Sequence, residues 1–538
     1  MKFRSLYLSA ALALFLAGCG APRITADPIT IATPITAKKA DLTETQKERW
    51  SDLDLLTDTV PGMSVDRAYE LLKDRKSNKV VVGIVDSGVD IEHPDLAGRI
   101  WTNTKEIAGN GIDDDKNGYI DDVHGWNFLG DIEHENLEFV RIMKKGDDGS
   151  EMYKEARAEY EKEYNEMMAE KQKIDFLSNI DKTFQEKLGK TEYTAEDLQK
   201  LKVDEADLEG VKQNLIRILS NMSHADFMER IDGAKEHINS TLDYHLNLKF
   251  DGREILGDNA DDWSTKSYGN NQVWGPEKEG ALHGTHVAGI IAQIRGNGIG
   301  GDGVASDYAE IMSVRAVPDG DEYDKDVALA IRYAVDNGAK VINGSFGKYY
   351  STHSDWVYDA IKYAAEKDVL IVCAAGNDGM NLNKGGGVVA RYPNDTANSD
   401  TEISDNFLCI GALTPEYGPD MVARFSNYGK EEVDIFSPGV EIYATTPNDS
   451  YRFLQGTSMA SPNAAGVAVL IRAFYPKLTA SQVKKVIMQS GLPINITVNA
   501  GGGEDAIETS FSNLSQTGRI VNAYNAIILA DKMSRGKM

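Results

Sequence analysis

The chain has 538 residues, of which 41% are hydrophobic and 26% are charged, with 49 Gly and 15 Pro. This is the composition of a globular protein with room for more than one domain, and it excludes a disordered or fibrous chain. A formal net charge of −27 argues against nucleic-acid binding, and three cysteines exclude a disulfide scaffold or a cysteine-rich zinc site.

The first predicted element is an export signal at residues 1–18. Lys2 and Arg4 precede an apolar run that is too short to span a membrane and ends in Leu-Ala-Gly before Cys19. This ending resembles the lipobox of bacterial lipoproteins, which implies cleavage before Cys19 and lipidation of its thiol. An ordinary secretory signal with a chance cysteine is the alternative. We therefore expect acyl chains to attach the protein to the membrane of a bacterial cell envelope.

Residues 19–48 are predicted to be an extended tether because prolines interrupt a stretch rich in Thr and Ala. In residues 49–538, short apolar runs alternate with helical patterns. Strands are predicted at 79–86, 310–317, 340–343, 369–374 and 407–412, and helices at 287–294, 324–337, 354–367, 457–474, 480–489 and 521–532. This alternation predicts a doubly wound α/β fold, a mostly parallel sheet with helices on both faces.

A helical insertion is predicted to interrupt the α/β pattern at about residues 132–250. This stretch contains no proline, and apolar residues recur every three or four positions over 153–188 among Glu and Lys. The spacing predicts a long amphipathic helix with Ser150 as N-cap, and Thr194 and Ser223 are candidate N-caps of two further helices. The charged residues of the insertion are typical of a solvent-exposed face; a surface that binds a partner is the alternative.

Three separate segments carry the residue types of a serine hydrolase. A buried strand ends on Asp86, a segment His-Gly-Thr-His starts at His283, and a turn that opens a helix carries Ser458 in Gly-Thr-Ser-Met-Ala-Ser-Pro. A serine hydroxyl becomes nucleophilic when an imidazole takes its proton, and the imidazole needs a carboxylate to fix its tautomer. Asn377 follows another strand, where its amide is suited to donate a hydrogen bond to an oxyanion.

These four motifs, in the order Asp, His, Asn, Ser, resemble those of the subtilases, the subtilisin-like serine proteases. The resemblance covers roughly residues 79–491, apart from the insertion. It implies that Asp86 orients His283 and that His283 acts as general base and acid. It also implies that Ser458 forms an acyl-enzyme and that Asn377 stabilises the oxyanion. The implied activity is that of an endopeptidase acting on peptide or protein substrates.

The resemblance also implies two sets of substrate contacts. The segment after a predicted strand corresponds to the family's peptide-binding edge, where an extended substrate would pair as an added strand. Its contact residues would be Ser345, Phe346 and Gly347. The wall of the first specificity pocket would be formed by Ala374, Ala375 and Gly376. Small apolar walls leave room for a sizeable apolar side chain.

A calcium site is predicted in the acidic segment 113–122. Oxygen-bearing side chains alternate there and Gly118 stands at the sixth position, as in the first half of a calcium loop. The candidate ligands are Asp113, Asp115, Asn117, Tyr119 and Asp121. His124 occupies the twelfth position instead of a bidentate Glu, so the loop is not a complete EF-hand. Similar loops occur in some subtilases; a solvated acidic turn is the alternative.

Two other classes of function have to be distinguished from a protease. An α/β-hydrolase is excluded because that fold places its histidine after the serine, and the last histidine here is His353. A catalytically silent subtilase-fold lipoprotein that binds a partner through its helical insertion is the main alternative. The enzyme is favoured because such relics usually lose a member of the triad, and all four groups are present.

Overall fold

The computed structural model describes residues 23–38, 40–383, 392–396, 401–502 and 506–537; the export signal and Cys19 lie outside this range. The helices, α1 to α13 in chain order, are Glu44–Glu48, Val65–Leu72, Glu138–Lys144, Glu151–Leu188, Ala195–Lys200, Ala206–Leu219, His224–Ser240, Leu282–Ala292, Asp324–Asp336, Ser354–Glu366, Thr457–Phe474, Ala480–Ser490 and Ala523–Ser534. The strands, β1 to β13, are Val80–Asp86, Gly125–Asn127, Ala309–Arg315, Val341–Gly344, Leu370–Ala374, Phe407–Leu413, Ile435–Pro438, Ile442–Thr446, Ser450–Leu454, Leu492–Pro493, Thr497–Ala500, Ile507–Ser510 and Arg519–Ile520.

A nine-stranded sheet forms the centre of the described chain, in the order β10-β13-β7-β6-β5-β4-β1-β3-β2. All neighbours pair in parallel except β10 and β13, which are antiparallel. The predicted α/β fold is confirmed, and each predicted strand lies within two residues of an observed one. Strands buried on both faces read as continuous apolar runs, which explains why they were easy to locate.

Helices cover both faces of the sheet and bury two hydrophobic cores. Helices α2, α8, α11, α12 and α13 contribute to the core on one face, and α9 and α10 to the core on the other. Helix α11 is apolar almost all round and nearly all its residues are buried, as expected of a helix inside a core. It contacts β4, β5, β6 and β7. The first turn of α11 is therefore fixed against the carboxyl ends of these strands.

The helical insertion contains α3 to α7 and has a hydrophobic core of its own. That core includes Ile174, Phe184, Leu215, Phe227 and Ile238, none of which belongs to the cores of the sheet. The helices begin where the sequence predicts, because the side chains of Ser150, Thr194 and Ser223 each accept a hydrogen bond from the backbone N–H three residues on. The insertion is thus a small helical unit attached to the α/β body.

The segment predicted to be a tether differs from that expectation after residue 23. Ile24 and Ile29 are buried, and the Asn525 side chain of α13 exchanges two hydrogen bonds with the backbone of Ile29, at 2.7 and 3.0 Å. The sequence does not predict these contacts, because prolines interrupt the segment and the buried residues are isolated isoleucines rather than members of a periodic apolar run. No described helix is both long and apolar enough to cross a bilayer.

Candidate active site

The carboxylate and imidazole predicted to act together are in contact. Asp86 is the last residue of β1 and His283 is the second residue of α8; Oδ1 of Asp86 lies 2.7 Å from Nδ1 of His283. The same oxygen accepts a hydrogen bond from the Ser87 N–H at 2.8 Å. Helix α8 approaches β1 closely because Gly284 follows His283, and a Cβ there would overlap the carbonyl oxygen of Gly88.

The charge of Asp86 sets the proton affinity of His283. Burial alone lowers the pKa of His283, but the charge of Asp86 and its hydrogen bond outweigh this effect and raise the pKa above 6.5. Asp86 is almost fully buried, so its interaction with the imidazole is weakly screened. The pair therefore stabilises the imidazolium that forms when His283 takes a proton.

Ser458 lies in the first turn of α11, in contact with Ser345. Its Oγ donates to the carbonyl oxygen of Ser345 at 3.0 Å, and no hydrogen bond joins it to His283 among the described residues. Ser345 and His283 both line one cleft, with a volume of about 660 Å³. A nucleophilic attack requires the Ser458 hydroxyl to turn from this carbonyl towards the imidazole.

Two hydrogen-bond donors converge beside Ser458. The Oδ1 atom of Asn377 accepts from both the N–H and the hydroxyl of Thr457, each at 2.9 Å, so its Nδ2 is directed elsewhere. Nδ2 of Asn377 and the backbone N of Ser458 lie 3.5 and 3.6 Å from the point that a Cβ on Gly456 would occupy. This space exists because residue 456 is glycine; Oδ1 of Asn377 lies slightly farther from the same point, at 3.8 Å, so the two nitrogens are the nearer groups.

A buried chain of hydrogen bonds supports the nucleophile and was not predicted from the sequence. Ser461 Oγ donates to Asn343 Oδ1 at 2.8 Å, and Asn343 Nδ2 donates to Ser345 Oγ at 2.9 Å. Ser345 Oγ in turn donates to the carbonyl oxygen of Ser458 at 2.8 Å. The signal available in the sequence was polar residues inside an apolar strand and an apolar helix. This chain fixes α11 to the end of β4.

The predicted substrate contacts occupy two different environments. Ser345, Phe346 and Gly347, which we call the peptide edge, line the cleft together with Asp86 and His283. Residues 317–322 line it as well, and we call them the cleft wall. Ala374, Ala375 and Gly376 are buried at the end of β5 and do not line this cleft. The N–H of Gly376 donates to the hydroxyl of Thr457 at 3.1 Å.

Three carboxylates of the acidic loop lie close enough to share a cation. Ligand oxygens of Glu106, Asp113 and Asp115 are all within 4.8 Å of one another. Glu106 was not predicted, because it precedes the alternating segment. Its two oxygens accept from the backbone N–H groups of Asp115 and Asp121, at 3.0 and 3.2 Å. Glu106 therefore closes the loop on itself.

The remaining predicted calcium ligands are not in this cluster of three. The Asp121 carboxylate accepts from the N–H groups of Asn110 and Gly111, at 3.2 and 2.9 Å. Asn117 uses its oxygen to accept from the Tyr119 N–H and its nitrogen to donate to Asp122. These hydrogen bonds hold the turn together.

The fold and these contacts define a class of protein. A serine in the first turn of a helix, an amide side chain beside it and a buried Asp–His pair are the residue types that a serine hydrolase requires. A sequence model of the subtilase family matches residues 77–513. Because this match covers most of the chain, the chain belongs to the subtilase family, the subtilisin-like serine proteases.

The chain is similar to several proteases over a little less than half of its length. A "thermophilic serine proteinase" of Bacillus sp. (strain AK1) is 35% identical over 251 residues, which are 46% of this chain and 52% of that protein. The "cell wall-associated protease" of Bacillus subtilis (strain 168) is 39% identical over 41% of this chain and 22% of its own length. Thermitase of Thermoactinomyces vulgaris is 35% identical over 46% of this chain and 76% of its own. The chain thus spans about half of the first relative and about a fifth of the second.

Proposed function

We propose that this protein is a serine endopeptidase that hydrolyses peptide bonds through an acyl-enzyme on Ser458. The observation that carries the proposal is that Asn377 Nδ2 and the Ser458 nitrogen border one space left by Gly456, while Ser345, which accepts from Ser458 Oγ, lines the same cleft as Asp86 and His283. These donors face the position where negative charge develops during acyl transfer. A silent relic has no need of such a space.

The chemistry follows from the positions of these groups. His283 takes the proton of Ser458 Oγ as this oxygen attacks the substrate carbonyl carbon, and Asp86 stabilises the imidazolium. The carbonyl oxygen becomes an oxyanion that accepts hydrogen bonds from Asn377 and from the Ser458 N–H. The imidazolium then protonates the leaving amine, and the C–N bond breaks. Water, deprotonated by His283, attacks the ester, and the acid product leaves with Ser458 restored.

The substrate is proposed to lie between the peptide edge and the cleft wall. An extended peptide exposes N–H and C=O groups on both sides, so it can pair with the backbone at either border of the cleft. Main-chain pairing recognises the peptide backbone more than its side chains. The same property suits an enzyme that cleaves within polypeptides of varied sequence.

The test of this function is covalent labelling by a fluorophosphonate probe, followed by cleavage of a peptide library. Wild-type protein is expected to be labelled, and Ser458→Ala is expected to lose labelling and about 10⁶ in turnover, a magnitude measured in subtilisin itself. Ser534→Ala, at an exposed serine at the end of α13, is the matched control and should behave like wild type. Unlabelled wild-type protein, or a labelled Ser458→Ala variant, would favour the silent, partner-binding alternative.

A structural calcium ion is proposed for the acidic loop. Glu106, Asp113 and Asp115 would hold it, since carboxylate oxygens are the ligands that Ca²⁺ prefers and three of them cluster within 4.8 Å. Carbonyl oxygens or water would complete a coordination number of six to eight. The ion would neutralise the mutual repulsion of the carboxylates and stabilise the loop.

Attachment to the membrane of the bacterial envelope through a lipidated Cys19 is the third part of the proposal. Its support is the basic start, the short apolar run and the Leu-Ala-Gly-Cys ending of the signal. Acyl chains bury methylene groups in the bilayer, and two or more chains give stable attachment. The enzyme would then act outside the cytoplasm, on substrates that reach the membrane surface.

A further inference from the structure

The helical insertion contacts the cleft wall and holds it in place. The central residue of the wall, Asp319, receives three side chains on its carboxylate. His134 Nδ1 lies 2.7 Å from Oδ2, Ser240 Oγ donates to the same oxygen at 3.1 Å, and His245 Nε2 lies 3.2 Å from Oδ1. Ser240 ends α7 and His245 ends the π-helical turn Thr241–His245 that directly follows, so two of the three contacts come from the carboxyl-terminal end of the insertion.

These contacts favour the charged form of Asp319. His245 makes the largest contribution, and with His134 and Ser240 it outweighs the cost of burial, so the pKa of Asp319 lies well below its usual range. Glu133 and Asp321, the nearest acids along the two backbone segments, line the same cleft. The three contacts therefore attach the charged side chain of Asp319 to the insertion.

The backbone of the cleft wall is paired with the start of the insertion. The Asp319 N–H donates to the carbonyl of Glu133 at 2.9 Å, and the Glu135 N–H donates to the carbonyl of Asp319 at 2.8 Å. One side of the wall is thus occupied by residues 133–135, and its other side faces the cleft. A shift of the insertion would carry the wall with it.

Helix α3 ties both borders of the cleft together. Arg141 donates to the carbonyl oxygens of Asp321 and Glu322, at 2.8 and 3.0 Å, and forms an ion pair with Glu138. Lys348, which directly follows the peptide edge, donates to the same Glu322 carbonyl at 2.7 Å and to Glu138 at 3.0 Å. These charged side chains are buried, so their mutual attraction is weakly screened. The width of the cleft therefore depends on α3.

We propose that Asp319 is a positioning residue for peptide binding, through which the helical insertion holds the cleft wall at the distance from the peptide edge that an extended substrate requires. The inference rests on the proposed peptidase function and adds a role for the insertion. Asp319 orients the wall and takes no part in bond making or breaking. A displacement of about 1 Å in such a border is enough to weaken productive binding severely.

The test compares a long peptide with a small probe. In Asp319→Ala, KM for an internally quenched octapeptide is expected to rise about tenfold with kcat changed less than about threefold, as for a lost charged hydrogen-bond network. The rate of fluorophosphonate labelling should stay at the wild-type value, because the probe reaches Ser458 without needing the wall. Asp319→Asn, which keeps the size and one acceptor, is expected to show an intermediate KM.

A double-mutant cycle separates positioning from general damage. The pair Ser240→Ala and His245→Gln, made on the insertion side, should raise KM less than Asp319→Ala does, because His134 still contacts Asp319, and combining both sets should give the KM of Asp319→Ala alone. Asp232→Ala is the control, because this exposed residue of α7 pairs only with Lys235 among the described residues. An unchanged KM in Asp319→Ala, additive effects in the cycle, or a parallel fall in labelling would overturn the inference. Wild-type protein that neither cleaves nor reacts with the probe would instead refute the peptidase function.

Discussion

At the scale of single residues, Gly456 determines whether two donors can reach one oxygen. A methyl group at this position would lie 3.5 Å from Asn377 Nδ2 and 3.6 Å from the Ser458 nitrogen. It would therefore occupy the place that the oxyanion needs. The backbone also has φ = 152° here, a conformation that L side chains rarely adopt. Both the limited space and the backbone conformation therefore disfavour a side chain at residue 456.

We expect Gly456→Ala to lower kcat by about 10² with little change in KM, since loss of one oxyanion donor costs about 10²–10³ in subtilisin itself. Steady-state kinetics on a peptide, with the melting temperature measured in parallel, checks this. Gly233→Ala is the control: this glycine lies in α7, and nothing stands within 4 Å of its Cβ position. A Gly456→Ala protein with wild-type kcat would contradict the assignment of the oxyanion site.

The sequence predicts the residues proposed to react, but it does not predict the hydrogen bonds that hold them. Asp86, His283, Ser458 and Asn377 follow from short motifs, because their chemistry requires particular residue types. Asn343 and Ser461 act through hydrogen bonds between distant segments, and no local spacing indicates such a pair. The orientation of the Ser458 hydroxyl towards Ser345 is likewise a property of the folded chain.

At the scale of elements, the acidic loop should depend on a cation. Three carboxylates within 4.8 Å repel one another, and a bound Ca²⁺ removes that repulsion only in the folded loop. Binding to the folded state stabilises it by about 2.7 kcal/mol when the free ion is at 100 times Kd. Chelation is therefore expected to lower the melting temperature, measured by calorimetry with and without EGTA.

The matched variant for this experiment is Glu106→Gln, which removes one carboxylate of the cluster. Its melting temperature should be less sensitive to EGTA than that of wild type. Equal melting temperatures of the wild-type protein in calcium and in EGTA would exclude the calcium proposal.

The burial of a strand or helix determines how clearly the sequence predicts it. Strands β1, β4, β5 and β6 are covered on both faces, so their apolar runs were visible. Short elements such as β2 and β10 were missed, since two or three residues carry no period. The sequence does not predict that the segment before α1 packs on the globular body, because its buried residues, Ile24 and Ile29, are not part of a periodic apolar pattern.

At the scale of the whole molecule, the lipid proposed at Cys19 would determine that the protein is bound to a membrane. Cys19→Ser should move the protein from the membrane fraction to the aqueous fraction of the expressing bacterium, since no acyl chains would be attached. Turnover of a peptide in detergent should be unchanged, because the substitution lies far from the cleft in sequence. Immunoblots of separated fractions give the measurement.

Cys409→Ser provides the control, because this cysteine lies in β6 and not next to the signal. It should leave the protein in the membrane fraction. Retention of Cys19→Ser in that fraction would mean that another contact, not the acyl group, holds the protein.

The contacts of the N-terminal segment then limit how far the globular body can lie from the membrane to which the proposed lipid attaches it. The N–H of Ile24 donates to Asp531 of α13 at 3.3 Å, so the chain is attached to the globular body five residues after Cys19. Five residues span at most about 17 Å when fully extended. If Cys19 sits in the headgroup layer, the α13 end of the body rests almost on the lipid. Polypeptides at the membrane surface would then meet the protein far more often than those diffusing freely at a distance.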